Sequence, residues 1–298
     1  SHSVTVFQRE QVEILRAADR RWFITHNGVF ANIDYREFSR DLDALGYDVY
    51  PMFGGTGMQQ AAAQAFGCDR VRAMAGNVIV PEQQAGPGGQ APYLHDTPEP
   101  GEMRRMVYAS IAHGADSLLH FRWRTCRFGA EEYWCGLLDH DDVPRRRLAE
   151  FTQTAQELRR VGPAVIGTSV RVDAAVAAGE LMVTASDGAL SLGLPSAEAV
   201  AREVHGWMWR SGWAAGCVHP ADDLAGLRLL IIPHWAWFDP AWVPGLTTWV
   251  EAGGVLAVGA RSATRTVENQ VTAACLPGCL RDLCGCTVEE YGKRNRPE

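Results

Sequence analysis

Residues 77–90 read NVIVPEQQAGPGGQ. A run of apolar β-formers stops on one carboxylate, Glu82, and two amides and a glycine-rich stretch follow it. Working outward, the same unit recurs on both sides. Upstream, WFITHNG (22–28) reads as a strand, DYREFSRDLDALG (34–46) as an amphipathic helix ending at Gly46, YDVYPMF (47–53) as the next strand, and MQQAAAQAFG (58–67) as a helix ending at Gly67. Downstream, PEPGEMRRMVYASIAHGA (98–115) opens with proline and acidic residues, as helix N-termini do. SLLHFRW (117–123) is a strand and DVPRRRLAEFTQTAQELRRVG (142–162) a helix. Consecutive βα units predict parallel strands. Polar and aromatic residues fall at the C-terminal ends of those strands: His26 and Asn27, Tyr50, Glu82, and Arg122 to Arg124. In a (β/α)8 TIM barrel that end carries the active site. About four βα units make half such a barrel, so either the sheet is open or the N-terminal half of a barrel lies outside these residues.

The second half reads differently. VRVDAAVA and ELMVTAS suit a strand pair, and SAEAVAREVHGWMWRSG (196–212) a helix with a serine cap and a glycine stop. AGCVHP is short and extended. LRLLIIP (227–233) and VLAVGA (255–260) are strands flanking the helix DPAWVPGLTTWVEAGG (239–254). This is the pattern of a flavodoxin-like α/β domain. The expected organisation is a half-barrel over residues 1–163 and the second domain over 164–298. A phosphate-binding glycine loop and a Walker sequence are both missing from it. Nor does Cys217, in AGCVHP, sit on a nucleophile turn.

Composition narrows the function classes. The chain has 298 residues, 47% hydrophobic and 21% charged, with a net charge of −7. An acidic balance argues against a nucleic-acid partner. No apolar run reaches the roughly 18 residues a bilayer span needs, and residues 1–20 do not read as a signal peptide. A cytoplasmic location, with the eight cysteines reduced, is the expectation. Four of them crowd into CLPGCLRDLCGC without the usual C-x2-C pairs of a zinc site, so they read as small buried residues in a helix and turn. No metal and no cofactor is expected.

Glu82 leads the candidates for chemistry. Retaining glycoside hydrolysis uses two carboxylates about 5 Å apart, one attacking the anomeric carbon and one protonating the leaving oxygen. The glycine-rich loop after Glu82 would let the backbone approach a ligand closely. The competing reading is a strand-end glutamate paired with Arg122 or Arg124. HFRWRTCRFGAEEYWCGLLDHD (120–141) adds Phe121, Glu131 and Trp134, aromatics and a carboxylate suited to sugar hydroxyls and C–H faces, or alternatively an ion-pair network over the barrel mouth. His140 between Asp139 and Asp141 reads as a solvated turn. A Tyr50 hydroxyl near Glu82 would keep it ionised and oriented.

Several stretches together resemble the glycoside hydrolase family 42 β-galactosidases: THNGVF (25–30), DVYP (48–51), EQQAGPGG (82–89), AHGADSLLHFRWRTCRFGAEEYW (112–134) and LLDHD (137–141). LAGLRLLIIP (224–233), EAGGVLAVGARS (251–262) and LPGCLRDLCGCTVEEY (276–291) resemble that family's middle domain. The resemblance implies Glu82 as catalytic nucleophile, Tyr50 as the tyrosine that approaches it, and Phe121 and Glu131 as lining for a galactose subsite; Asn27, at a strand end, and Trp134, in the aromatic loop, are further substrate-binding candidates read from the residues alone. It implies a terminal β-D-galactoside or an α-L-arabinopyranoside as substrate. It also implies that the second domain is a trimerisation domain, similar to class I glutamine amidotransferases without their cysteine, and that the partner is a second and third copy in a homotrimer. Three departures stand out. The family's Asn-Glu acid/base pair does not occur before Glu82, so the acid/base glutamate is expected outside this chain. Gln90 stands where a tryptophan closes the loop, and Trp134 and Cys135 stand where a histidine follows the subsite glutamate. These departures leave open a divergent or inactive member acting as a sugar-binding or assembly module.

Overall fold

The computed structural model describes residues 2–28, 33–90, 93–179, 195–290 and 292. The chain divides into two compact units, Ser1–Arg171 and Val172–Glu298.

The first unit begins with helix α1 (His2–Ala18), an element without a counterpart in the expected βα series. Its sheet has four strands, β1 (Thr25–Gly28), β2 (Ala44–Tyr47), β3 (Val78–Gln84) and β6 (Ala115–Phe121). They pair in sequence order and all in parallel. This is the parallel sheet and α/β content of a partial TIM barrel. Helices α2 (Tyr35–Phe38), α3 (Met58–Ala75), α4 (Glu102–Ala112) and α5 (Arg146–Val165) connect or follow the strands. A small antiparallel hairpin, β4 (Gly89–Gln90) with β5 (Tyr93–Leu94), follows β3. Tyr35, Phe38, Leu45, Val71, Val78 and Val80 are buried together. Each such large apolar side chain contributes about 1.5–3 kcal/mol.

Two boundaries differ from the sequence expectation, and both turn on a glycine. Gly46 does not end a helix. The helix stops at Phe38, capped at its start by the Asp34 carboxylate, and Gly46 lies inside β2, paired with Asn27 and Ile79. A Cβ there would meet the Pro81 ring at 2.9 Å and the His26 carbonyl at 3.0 Å. The strand therefore runs earlier than YDVYPMF, and Pro51–Gly54 forms a 3-10 turn. Gly67 likewise is interior to α3, because the Tyr47 ring lies where its Cβ would be. The helix continues to Ala75 and stops at Gly76, which is left-handed at φ 77°.

The second unit holds β7 (Ala174–Ala177), β8 (Ala215–Val218), β9 (Leu229–Ile232) and β10 (Val255–Val258). All pair in parallel, in the spatial order β10-β9-β7-β8. The chain thus winds one way from β7 to β8 and the other way through β9 to β10, as in doubly wound α/β sheets. Helices α6 (Ala197–Arg210), α7 (Val243–Glu251) and α8 (Arg281–Cys284) belong to this unit. The expected strand ELMVTAS lies outside the described residues. Trp235, Phe238, Leu230, Ile232 and Leu246 form the buried core. Cys275 and Cys286 are exposed and Cys279 and Cys284 only partly covered, which corrects the expectation that the cysteine-rich stretch is buried.

Candidate active site

Glu82 is presented by a break in the β3–β6 ladder. Val80 pairs with Leu118, but the next pair is Gln83 with His120, so β3 carries one extra residue at Pro81–Glu82. Proline lacks the N–H a regular ladder would use, and a bulge re-aims the side chain beside it. The backbone is held nonetheless. The Glu82 carbonyl accepts from Val49 N–H at 2.8 Å, and Gln84 N–H donates to the Val49 carbonyl at 3.0 Å.

Both Glu82 oxygens are met by neutral donors. The Tyr50 hydroxyl donates to Oε2 at 2.7 Å. The Asn27 amide donates to Oε1 at 3.4 Å, and to the Asp48 carboxylate at 2.9 Å. The arginines considered as partners are engaged elsewhere: Arg122 pairs with Glu131, and Arg124 with Asp142 at 2.8 Å. Burial, with the Glu82 carboxylate next to it, pushes the Tyr50 phenol well above its ordinary range. Tyr50 is therefore a donor at any working pH. Burial also raises the Asp48 carboxyl to about 6, offset by the Asn27 hydrogen bond and reinforced by the Glu82 charge. Asp48 was visible in DVYP but was not singled out. Its signal is a carboxylate one residue beyond a buried strand with no nearby basic residue in sequence.

An aromatic group stands over this pair. The Trp134 ring meets Tyr50 edge-on at 5.2 Å and lies 6.5 Å from Phe121 and 6.2 Å from Phe53. Phe121 ends β6, and the Arg122 guanidinium stacks on its ring at 4.2 Å. Tyr50 and Asn27 thus meet Glu82 directly, Trp134 packs on Tyr50 and Phe121 lies beyond Trp134, whereas Glu131 is tied to Arg122 and half exposed.

The loop carrying Trp134 is closed on itself by Leu137 N–H to the Arg122 carbonyl at 2.7 Å and Leu138 N–H to the Trp123 carbonyl at 2.9 Å. It also packs on the glycine-rich stretch. A Cβ on Gly86 would meet the Cys135 carbonyl at 2.7 Å, and one on Gly88 would overlap the Met52 methyl. Those two glycines therefore allow neighbouring protein to approach closely. Asp139 and Asp141 pair with Arg147 and Arg145. Among the described residues no cluster of His, Cys, Asp and Glu could hold a metal ion. None of their helices is long and apolar enough to cross a membrane.

Residues 1–161 match the family model described as β-galactosidase, of glycoside hydrolase family 42, and residues 183–296 match the one described as β-galactosidase trimerisation domain. The chain is 30% identical to a β-galactosidase of Halorubrum lacusprofundi, over 98% of this chain and 43% of that protein. It is 31% identical to a β-galactosidase of Thermus sp., over 95% of this chain and 45% of that protein. The solved structure of the β-galactosidase from the Antarctic haloarchaeon Halorubrum lacusprofundi superposes with a TM-score of 0.87 at 29% identity, covering 97% of this chain and 45% of that one. The chain spans less than half the length of these relatives.

Proposed function

The chain belongs to the glycoside hydrolase family 42 β-galactosidases, and from that premise we propose that its protein is a retaining hydrolase releasing terminal β-D-galactose from β-galactosides. Glu82 is the nucleophile. The observation that carries this reading is the pairing of Glu82 with Tyr50 and Asn27, two neutral donors, at the C-terminal end of a parallel strand. An arginine partner would neutralise the carboxylate. Neutral donors orient it and leave its charge for the anomeric carbon. The second carboxylate of a retaining pair, about 5–5.5 Å away, is assigned to a glutamate outside residues 1–298. It protonates the leaving oxygen and then activates water.

Phe121 and Trp134 offer ring faces to sugar C–H groups, and Glu131 with Arg122 offers polar partners for hydroxyls. The second unit is read as the trimerisation domain of a homotrimer, supported by its family match. A cytoplasmic location suits its eight free cysteines, which that compartment keeps reduced.

A second reading draws on Trp134. Its indole packs against Tyr50 and lies 6.5 Å from Phe121, and bulk at that place favours a sugar without the hydroxymethyl group, an α-L-arabinopyranoside. Turnover of both glycosides by the complete protein, with NMR of the first-formed anomer, tests the proposal. Retention with loss of turnover in Glu82→Gln supports it, and inversion or unchanged turnover in that variant refutes it.

A further inference from the structure

Three neighbouring parallel strands each deliver one polar side chain to the same point: Asn27 from β1, Asp48 from just beyond β2, and Glu82 from β3. The Asn27 amide nitrogen has two hydrogens, and each is directed to a different carboxylate. The bond to Asp48 Oδ2 is the shorter, at 2.9 Å, against 3.4 Å to Glu82 Oε1. Asp48 thus holds the amide more firmly than Glu82 does. The opposite oxygens, Asp48 Oδ1 and Asn27 Oδ1, are both buried with no hydrogen-bond partner among the described residues. Uncompensated buried polar atoms of this kind cost stability, and each calls for an explanation, a role in the chemistry being one.

We propose that Asp48 is a positioning residue for Glu82: its carboxylate fixes the Asn27 amide, and the amide fixes Glu82 Oε1. Tyr50 holds Oε2 tightly, so Oε1 is the freer oxygen and the one whose direction needs a guide. Asn27 supplies that guide only while its own orientation is set. An ionised Asp48 accepts from Asn27 and leaves the amide's N–H side facing Glu82. A protonated Asp48 carries a hydrogen that competes for the Asn27 oxygen and favours the flipped amide, which turns an oxygen toward the Glu82 carboxylate.

The charged and titratable groups facing Asp48 are few. β3 presents Glu82, and the turn after β2 presents Tyr50. β1 presents Asn27, which does not ionise. Among the described residues no basic side chain forms an ion pair with Asp48. Its carboxyl, raised to about 6 chiefly by burial, therefore titrates inside the range where a glycosidase is assayed.

The inference rests on Glu82 being the reacting carboxylate. The test is the pH profile of kcat/KM for a chromogenic β-D-galactoside, measured on the complete protein as wild type, Asp48→Asn, Asp48→Ala and Glu82→Gln. Asp48→Asn keeps an oxygen for the Asn27 amide and cannot titrate. The expected result is a wild-type acid limb with an apparent midpoint near the Asp48 value, displaced to lower pH or absent in Asp48→Asn. Asp48→Ala should lose roughly tenfold or more in kcat with KM changed less than about threefold. A wild-type acid limb retained unchanged in Asp48→Asn, or full kcat in Asp48→Ala, overturns the positioning role while leaving Glu82 in place. Full turnover in Glu82→Gln overturns the reading of Glu82 itself, and the inference with it.

Discussion

The Tyr50 hydroxyl donates to Glu82 Oε2 at 2.7 Å across two adjacent parallel strands. One residue comes from the turn after β2 and the other from the bulge in β3. The contact fixes a carboxylate that has no cationic partner among the described residues.

Tyr50→Phe keeps the ring against Trp134 and removes the donor. A hydrogen bond to a charged group contributes about 1.5–3 kcal/mol, so kcat/KM should fall by roughly 10- to 100-fold. Steady-state kinetics on the complete protein checks this, with circular dichroism as the control for folding. Activity within about twofold of wild type would show that Oε2 needs no donor.

Trp134→Ala removes an indole that touches Tyr50, Phe53 and Phe121. The ring is only half-buried, so the stability cost should be about 1–2 kcal/mol, below that of a fully buried tryptophan. With Trp134 as the proposed binding face, the larger effect should fall on KM, roughly fivefold or more. Comparing galactoside with arabinopyranoside reads specificity from the same variant. A wider cleft should shift preference toward the sugar that carries a hydroxymethyl group.

Asp48 makes a signed prediction about stability. Its folded pKa, about 6, lies above the ordinary value of 3.8. The folded state therefore holds a proton that the unfolded chain releases, and stability is lost as pH rises from about 4 to 6. Above that range Asp48→Asn should be the more stable protein, by about 1 kcal/mol once solvent screening of a half-exposed group is allowed for. The gain should vanish below pH 4. Thermal unfolding at several pH values measures it. A variant less stable than wild type at pH 7.5 would mean that the charge has a partner that offsets its burial.

Gly67→Ala should destabilise, although alanine is the better helix former by about 1 kcal/mol. The added methyl would overlap the Tyr47 hydroxyl and ring, and overpacking of that kind costs about 1–3 kcal/mol. Pairing it with Tyr47→Ala should recover the helix gain. Thermal unfolding of the two singles and the double supplies the cycle, and simple additivity would show that the two residues are not in contact.

The parallel βα order was legible because short strand-like runs, apolar in β3 and closed by polar residues, alternate with helical patterns. Its boundaries were less so. Gly46 and Gly67 look like helix stops, yet each is a glycine because a neighbour occupies the Cβ position: Pro81 and the His26 carbonyl in one case, Tyr47 in the other. That information lies in tertiary contact, not in local pattern. At the site, Glu82 stood out as a carboxylate ending an apolar strand. Asp48 did not, because its meaning depends on Asn27 lying beside it on a different strand. The β3 bulge that aims Glu82 also had no local signature beyond Pro81.

The central claim is that Glu82 is the atom-bonding carboxylate of a retaining glycosidase. The measurement that tests it most directly is treatment of the complete protein with a 2-deoxy-2-fluoro-β-galactoside bearing a good leaving group, followed by peptide mass spectrometry. A retaining nucleophile forms a glycosyl ester that the fluorine makes slow to hydrolyse. The account predicts one fluorogalactosyl adduct, on Glu82, formed with time-dependent loss of activity. An adduct on another carboxylate, or inactivation that leaves Glu82 unmodified, would contradict it.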